Sequence, residues 1–245
     1  MAQGKIAENI AELRKSIHLI ARQCGRRPEE ISFILVTKTV PVSVILEALE
    51  AGISEFGENR VQELLAKKKE LGKPALWHMI GHLQTNKVKQ VLGEAALIHS
   101  LDREDLAEEI GEQAGLKGLK QVPCLIQVNS SGEASKFGLK PEEVSGFVEG
   151  LNQIPSIQIK GLMTIGPNVG NRGQAENSCL SPVSAENQIR KAFRRTRELQ
   201  QELKKSFPEI DFGILSMGMS GDYKIAIEEG ATLLRIGTAV FGERK

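Results

Sequence analysis

Short apolar runs of strand character alternate with helical segments eight times along this chain, and no other feature narrows its fold as far. The first run, ISFILVT at 31–37, is apolar on both faces, the pattern of a parallel strand covered on each side. Further strands are predicted near 53–57, 75–80, 96–100, 122–128, 157–164, 212–216 and 232–236. Between them, helices are predicted near 42–51, 59–71, 85–92, 102–115, 141–151, 184–206 and 222–229. A regular strand–helix alternation implies a parallel sheet with helices outside it, and eight such units favour a closed barrel over an open sheet. Ahead of the first strand, Ile6, Ile10, Leu13, Ile17 and Ile20 recur at helical spacing and predict an additional N-terminal helix. The expectation is one (β/α)8 TIM-type barrel domain spanning residues 1–245, with segment 166–184 as a long loop at its C-terminal mouth.

Composition narrows the partners. Thirty-two basic against thirty-one acidic side chains leave a formal charge of +1, so no global field draws the chain to nucleic acid or an anionic membrane. Small molecules or other proteins are the expected partners. Cys24, Cys124 and Cys179 are odd in number and lack CxxC spacing, which argues against a disulfide framework or a thiolate metal site and for a reducing compartment. The charged N-terminus does not read as a secretory signal, and no apolar run approaches the roughly 18 residues of a membrane span. A cytoplasmic protein is expected. His78 and His82 are four apart but flank a strand end, so they do not read as a zinc pair, and no metal is expected. The helix at 184–206 is rich in arginine and lysine but has an apolar stripe through Ile189, Phe193, Leu199 and Leu203, and reads as a solvated face over a buried one. Dinucleotide and P-loop motifs are absent.

Three features carry chemistry. Lys38 ends the first strand on the same face as Ile34 and Val36. If that face is the barrel interior, desolvation makes its amine a better nucleophile toward an aldehyde; alternatively the side chain snorkels to solvent. The seventh strand runs into SMGMSGD at 216–222 and the eighth through LLRIGT at 233–238, and the loops after these strands are where such barrels often bind phosphate. Gly218, Gly221 and Gly237 allow close backbone approach, Ser220 and Thr238 add hydroxyls, and a helix is predicted to open near Asp222. Arg235 shares a face with Leu233, so an inward guanidinium needs a partner: a ligand ring nitrogen, or a barrel carboxylate such as Glu58.

The segments ILVTKT (34–39), FGENRVQE (56–63), WHMIGHLQTNK (77–87), GLMTIG (161–166), LSMGMSGD (215–222) and RIGTAVFG (235–242) occur in this order along the chain. Together they resemble the signature blocks of the YggS/PROSC family of pyridoxal phosphate homeostasis proteins, whose fold is the fold-type III barrel of the alanine racemase N-terminal domain. The resemblance implies pyridoxal 5'-phosphate (PLP) as cofactor, a Schiff base on Lys38, and phosphate contacts from the loop of Ser216, Met217, Gly218 and Ser220 and from Gly237 and Thr238. It also implies Arg235 facing the pyridine nitrogen, Asn59 bordering the ring, and Lys136 as a second PLP-contacting lysine on a mouth loop. Segment 166–184 is richer in Asn, Gly and Ser than the family's usual loop.

Two functions compete. One is a PLP carrier or buffer that supports PLP homeostasis and supplies PLP-dependent apoenzymes without robust catalysis. The other is a PLP-dependent amino-acid racemase. A two-base racemase needs a proton acceptor on each face of the cofactor. The lone tyrosine, Tyr223, lies beside the phosphate loop and is poorly placed for that role, so the carrier is favoured. The predicted helices show no obvious exposed apolar stripe, which favours a monomer.

Overall fold

The structure is a computed structural model, and it describes residues 4–72, 74–168 and 182–243. Cys179 and most of segment 166–184 lie outside the described residues. The chain opens with α1 (Lys5–Gln23), then alternates β1 (Ser32–Val36), α2 (Val42–Glu50), β2 (Glu55–Glu58), α3 (Val61–Leu71), β3 (Leu76–Met79), α4 (Val88–Val91), β4 (Leu97–Leu101) and α5 (Glu104–Lys117). The second half runs β5 (Val122–Val128), α6 (Val144–Leu151), β6 (Ile157–Thr164), α7 (Pro182–Ser206), β7 (Ile214–Ser216), α8 (Tyr223–Glu228), β8 (Leu233–Ile236) and α9 (Thr238–Phe241). Among the described residues, eight strands close into a barrel in sequence order, every neighbouring pair parallel. This is the (β/α)8 TIM-type barrel that the alternation predicts, with α1 packed outside against α2, α8 and α9.

The two faces of each strand build two separate cores. Odd and even positions point to opposite sides of a pleated strand. Thus Ile34 joins Leu97, Leu125, Met163 and Leu233 inside the barrel, while Leu35 joins the layer between strands and helices. The helices supply the outer layer through their apolar stripes; in α1, Ile6, Ile10, Leu13, Ile17 and Ile20 are all buried. Each such side chain contributes about 1.5–3 kcal/mol on burial, which is why a helix outside the repeat is held firmly. Two glycines let the barrel close. A Cβ on Gly57 would fall 2.9 Å from Ile34 Cδ1 inside it, and one on Gly161, at φ +144°, would fall 1.8 Å from the Ile214 carbonyl oxygen. The second marks the register shift between β5 and β6 and brings the β7 backbone close.

Candidate functional site

Lys38 stands two residues beyond the end of β1 and is half-buried. The residues on either side of it are fastened. The Lys67 ammonium, buried on the apolar stripe of α3, donates to the Thr37 carbonyl at 2.5 Å, Glu58 at 2.7 Å and Glu63 at 2.6 Å, using all three of its hydrogens. Thr37 Oγ1 donates to Glu58 at 2.6 Å, and the Thr39 N–H donates to Glu63 at 2.6 Å. Thr39 stands at φ +62°, in the left-handed region. Burial raises the pKa of Glu58 despite Lys67 and Thr37. At Glu63 burial acts the same way, but Lys67 and the Thr39 N–H outweigh it and hold the carboxyl below its ordinary value. Among the described residues, Lys38 itself makes no hydrogen bond or ion pair, so its amine is available to a ligand.

Arg235 lies on β8, next to β1 in the sheet, in register with Ile34. Its guanidinium is buried and donates from Nη1 to the Ser216 carbonyl and hydroxyl, both at 2.7 Å, and from Nη2 to the Thr164 carbonyl at 2.7 Å. Burial lowers its pKa to about 10, with Asp222 opposing the shift, so it stays charged at neutral pH. Glu58 is not its partner: the carboxylate lies on the outer face of β2 with Lys67. Among the described residues no carboxylate stands within ion-pair distance of Arg235. Ser216, expected in the phosphate loop, instead points its hydroxyl inward to Arg235 and to His99 Nδ1 at 3.1 Å. Met217 engages its N–H with the Leu233 carbonyl and its side chain with the outer core, so neither faces the loop's open side.

The loops after β7 and β8 meet at the same mouth. Gly218 is at φ +92°, and a Cβ there would fall 2.5 Å from the Ala226 methyl, so only glycine lets the turn lie against α8. Ser220 Oγ accepts from the Gly237 and Ala239 N–H groups, each at 3.1 Å, tying the two loops together and leaving its own hydrogen free to donate. Thr238 is exposed beside it. Asn59, exposed after β2, has its carbonyl 2.3 Å from where a Gly81 Cβ would stand. Lys136 bonds Glu133 at 2.7 Å and the Gly166 carbonyl at 2.6 Å, on the rim between the β5 and β6 loops. Gln127 is buried inside the barrel near them, and its Oε1 has no hydrogen-bond partner among the described residues.

Other singled-out residues separate. His78 turns into the barrel toward His99, while His82 stacks on Phe137 at a centroid distance of 3.8 Å. Tyr223 points outward, its hydroxyl 2.9 Å from Ser16 on α1. On α7, Arg190, Arg194 and Arg197 converge on Glu229, which neutralises part of the basic face. His99, Glu55 and Lys67 were not singled out in the sequence, although period-two spacing from Leu97 places His99 inward and Lys67 sits on an apolar helical stripe.

A half-buried amine, two loops bearing anion donors and a buried cation without a carboxylate can together hold a small phosphorylated carbonyl compound. The family described as alanine racemase, N-terminal domain, matches residues 5–245. The pyridoxal phosphate homeostasis protein of Aquifex aeolicus is 41% identical over 239 residues, covering 97% of this chain and 98% of that protein. PipY of Synechococcus elongatus, solved with PLP bound, is 33% identical, with a TM-score of 0.79 over 97% of this chain and 100% of that one. Alanine racemase of Clostridium difficile, at 15% identity and a TM-score of 0.72, shares the fold over 98% of this chain and 57% of its own length. The chain therefore belongs to the pyridoxal phosphate homeostasis proteins, a family built on the alanine racemase N-terminal barrel.

Proposed function

We propose that this protein, acting as one barrel domain over residues 1–245, binds PLP covalently on Lys38 and carries or buffers it for cellular PLP homeostasis. The observation that carries this reading is Arg235: a buried guanidinium without a carboxylate partner, at the same mouth as an unpaired lysine amine. The surrounding residues suit the group. Gly218 lets the turn after β7 lie against α8, the Ser220 hydroxyl and Thr238 supply donors for a phosphate, and Asn59 borders the mouth. Bound PLP supplies an aldehyde that an amine captures reversibly, and an electron-withdrawing ring. Lys38 is the amine; Arg235 donates toward the pyridine nitrogen; Ser216 holds Arg235 in place; Lys136 is a second lysine within the rim.

The same residues favour carriage over turnover. A guanidinium donates hydrogen bonds but supplies no proton readily, so the pyridine nitrogen stays unprotonated and the ring is a weak electron sink. The racemase alternative needs a base on the second face, and Tyr223 is committed to Ser16 on α1. Racemase and transaminase turnover near background is therefore expected. A cytoplasmic monomer that hands PLP to apoenzymes fits these features, and no helix among the described residues is long and apolar enough to cross a membrane.

Absorbance and mass spectrometry test the assignment. The purified protein should show a visible band with PLP and, after borohydride reduction, a mass adduct on Lys38; Lys38→Ala should lose both and stay folded. Full occupancy of Lys38→Ala would move the attachment elsewhere, with Lys136 the next acceptor to map.

A further inference from the structure

A chain of polar side chains crosses the inside of the barrel from its N-terminal floor to Arg235. Glu55, at the start of β2, brings Oε2 to 3.3 Å from His78 Nε2 on β3. His78 Nδ1 lies 3.0 Å from His99 Nε2 on β4, and His99 Nδ1 lies 3.1 Å from Ser216 Oγ on β7, across the interior. Ser216 Oγ accepts from Arg235 at 2.7 Å. His78, His99, Ser216 and Arg235 are all buried, whereas the Glu55 side chain is 39% exposed. Glu55 and His78 also line a cavity of about 530 Å³ at the floor, together with Arg27, Glu30 and Ser32. The far end of the chain is thus open to solvent on the side opposite the proposed cofactor mouth.

The ends of the chain fix its direction. Arg235 has only hydrogens to give, and the Glu55 carboxylate has only lone pairs. Ser216, accepting from Arg235, donates to His99 Nδ1; His99 then carries its hydrogen on Nε2 and donates to His78 Nδ1; His78 carries its hydrogen on Nε2, facing Glu55. Each neutral imidazole is held in a single tautomer. The His78 N–H holds the Glu55 carboxyl below its ordinary range, and burial, then His78 and Arg235, keeps His99 well below the usual imidazole range and hence neutral at pH 7.

We propose that Glu55, His78, His99 and Ser216 are positioning residues for Arg235, and that through them protonation at the barrel floor resets the hydrogen bond Arg235 offers to the cofactor ring. A proton taken from solvent by His78 gives both its ring nitrogens hydrogens. His99 must then present a bare Nε2 and carry its single hydrogen on Nδ1, facing Ser216. Ser216 Oγ then receives hydrogens from both His99 and Arg235, and its own hydrogen loses its acceptor. The bond that orients the guanidinium weakens as a result. Other charged groups act on the two ends: Arg27 and Glu30 from the segment before β1 and Arg14 and His18 from α1 surround the floor cavities, and Asp222 acts on Arg235 from the loop after β7.

The inference rests on the PLP reading above for its consequence, though not for the relay itself, so two measurements separate them. Histidine ring ¹⁵N shifts in the cofactor-free protein should show His99 and His78 both protonated on Nε2 and bare on Nδ1 at neutral pH, with His99 switching to Nδ1 on acidification. In protein showing the visible PLP band, the band should shift in the same acid transition. Glu55→Gln should move that transition about one pH unit lower, because it removes the carboxylate that favours proton uptake at the floor. His78→Phe should abolish the transition, and failure of that variant to fold leaves the mild surface substitution at Glu55 to decide. A His99 hydrogen on Nδ1 at neutral pH, or a band that titrates identically in wild type and Glu55→Gln, would overturn the relay. A protein without a visible band would overturn the PLP reading while the tautomer measurement still judges the relay.

Discussion

Two buried cations border β1 in this barrel, Lys67 bonded to Thr37 at its end and Arg235 on the neighbouring β8, and they are partnered in opposite ways. Lys67 gives its three hydrogens to Thr37, Glu58 and Glu63, two of them carboxylates, in the layer between barrel and helix. Arg235, inside the barrel, has two carbonyls and a serine hydroxyl, with no carboxylate at contact. A buried charge without a counter-charge is costly unless something else repays it. All three Lys67 hydrogens are taken within the chain, although Glu58 Oε2 is left without a hydrogen-bond partner among the described residues, and the cluster serves to hold the backbone around Lys38. Arg235 places three of its five hydrogens within the chain, and the two left over, with its uncompensated charge, are what a ligand at the mouth would use.

Stability measurements on cofactor-free protein give the widest separation between the two. Lys67→Met leaves Glu58, 0% exposed, as a buried carboxylate without its cation, and should cost about 3–5 kcal/mol in urea unfolding. Arg235→Met deprives two carbonyls and a hydroxyl of a donor but also removes a desolvated charge, so its cost should be lower, about 1–3 kcal/mol. An equal or reversed ranking would mean that Arg235 is as structural as Lys67, and the contrast would fail.

The sequence makes one of these systems far easier to see than the other. Strands and helices are local: both-face apolar runs and 3.6-residue stripes mark them, and each predicted element has an observed counterpart, although β2 and β7 begin two residues later and α4 three residues later than predicted and the short α9 is not predicted. Lys38, Arg235 and the glycine loops are legible because strand ends and the loops after the seventh and eighth strands have fixed positions in a barrel. What joins them is not local. Ser216 and His99 are 117 residues apart, and no spacing pairs them. The choice between Glu58 and a ligand as the partner of Arg235 turns on strand face. Phe56 lies in the outer core and Gly57 opposite Ile34 inside, so Glu58, two residues from Phe56, faces outward to α3. Which glycine faces inward is decided by closure of the whole barrel.

At the mouth the contrast is sharpened by removing donors instead of charge. Ser220→Ala with Thr238→Ala deletes two hydroxyls but leaves the backbone donors, so PLP affinity should fall by about 1–3 kcal/mol in total without vanishing. Pyridoxal, which lacks the phosphate, should bind more weakly than PLP to the wild type and be little affected by the double substitution. Equal losses for both ligands in an equilibrium titration would place the phosphate elsewhere.

The smallest expected effect lies beside Lys38, where the Lys67 cluster meets the mouth. Thr39 holds φ at +62°, a conformation that costs a residue with a Cβ roughly 1–2 kcal/mol and a β-branched one no less. The Glu63 carboxylate, itself held by Lys67, accepts the Thr39 N–H and fixes that turn. Thr39→Gly keeps the N–H and relieves the strain, but glycine loses more backbone freedom on folding, by about 0.5–1 kcal/mol. The two effects oppose, so the variant should be more stable by less than about 1 kcal/mol, while Thr39→Ala, which keeps the Cβ, should show no gain. If the strained turn serves to aim Lys38, Thr39→Gly should also retain PLP more weakly than wild type on dialysis, despite its greater stability. A stabilised Thr39→Gly that retains PLP as firmly as wild type would show that the Lys67 cluster braces the barrel edge and leaves the aim of Lys38 to the strand alone.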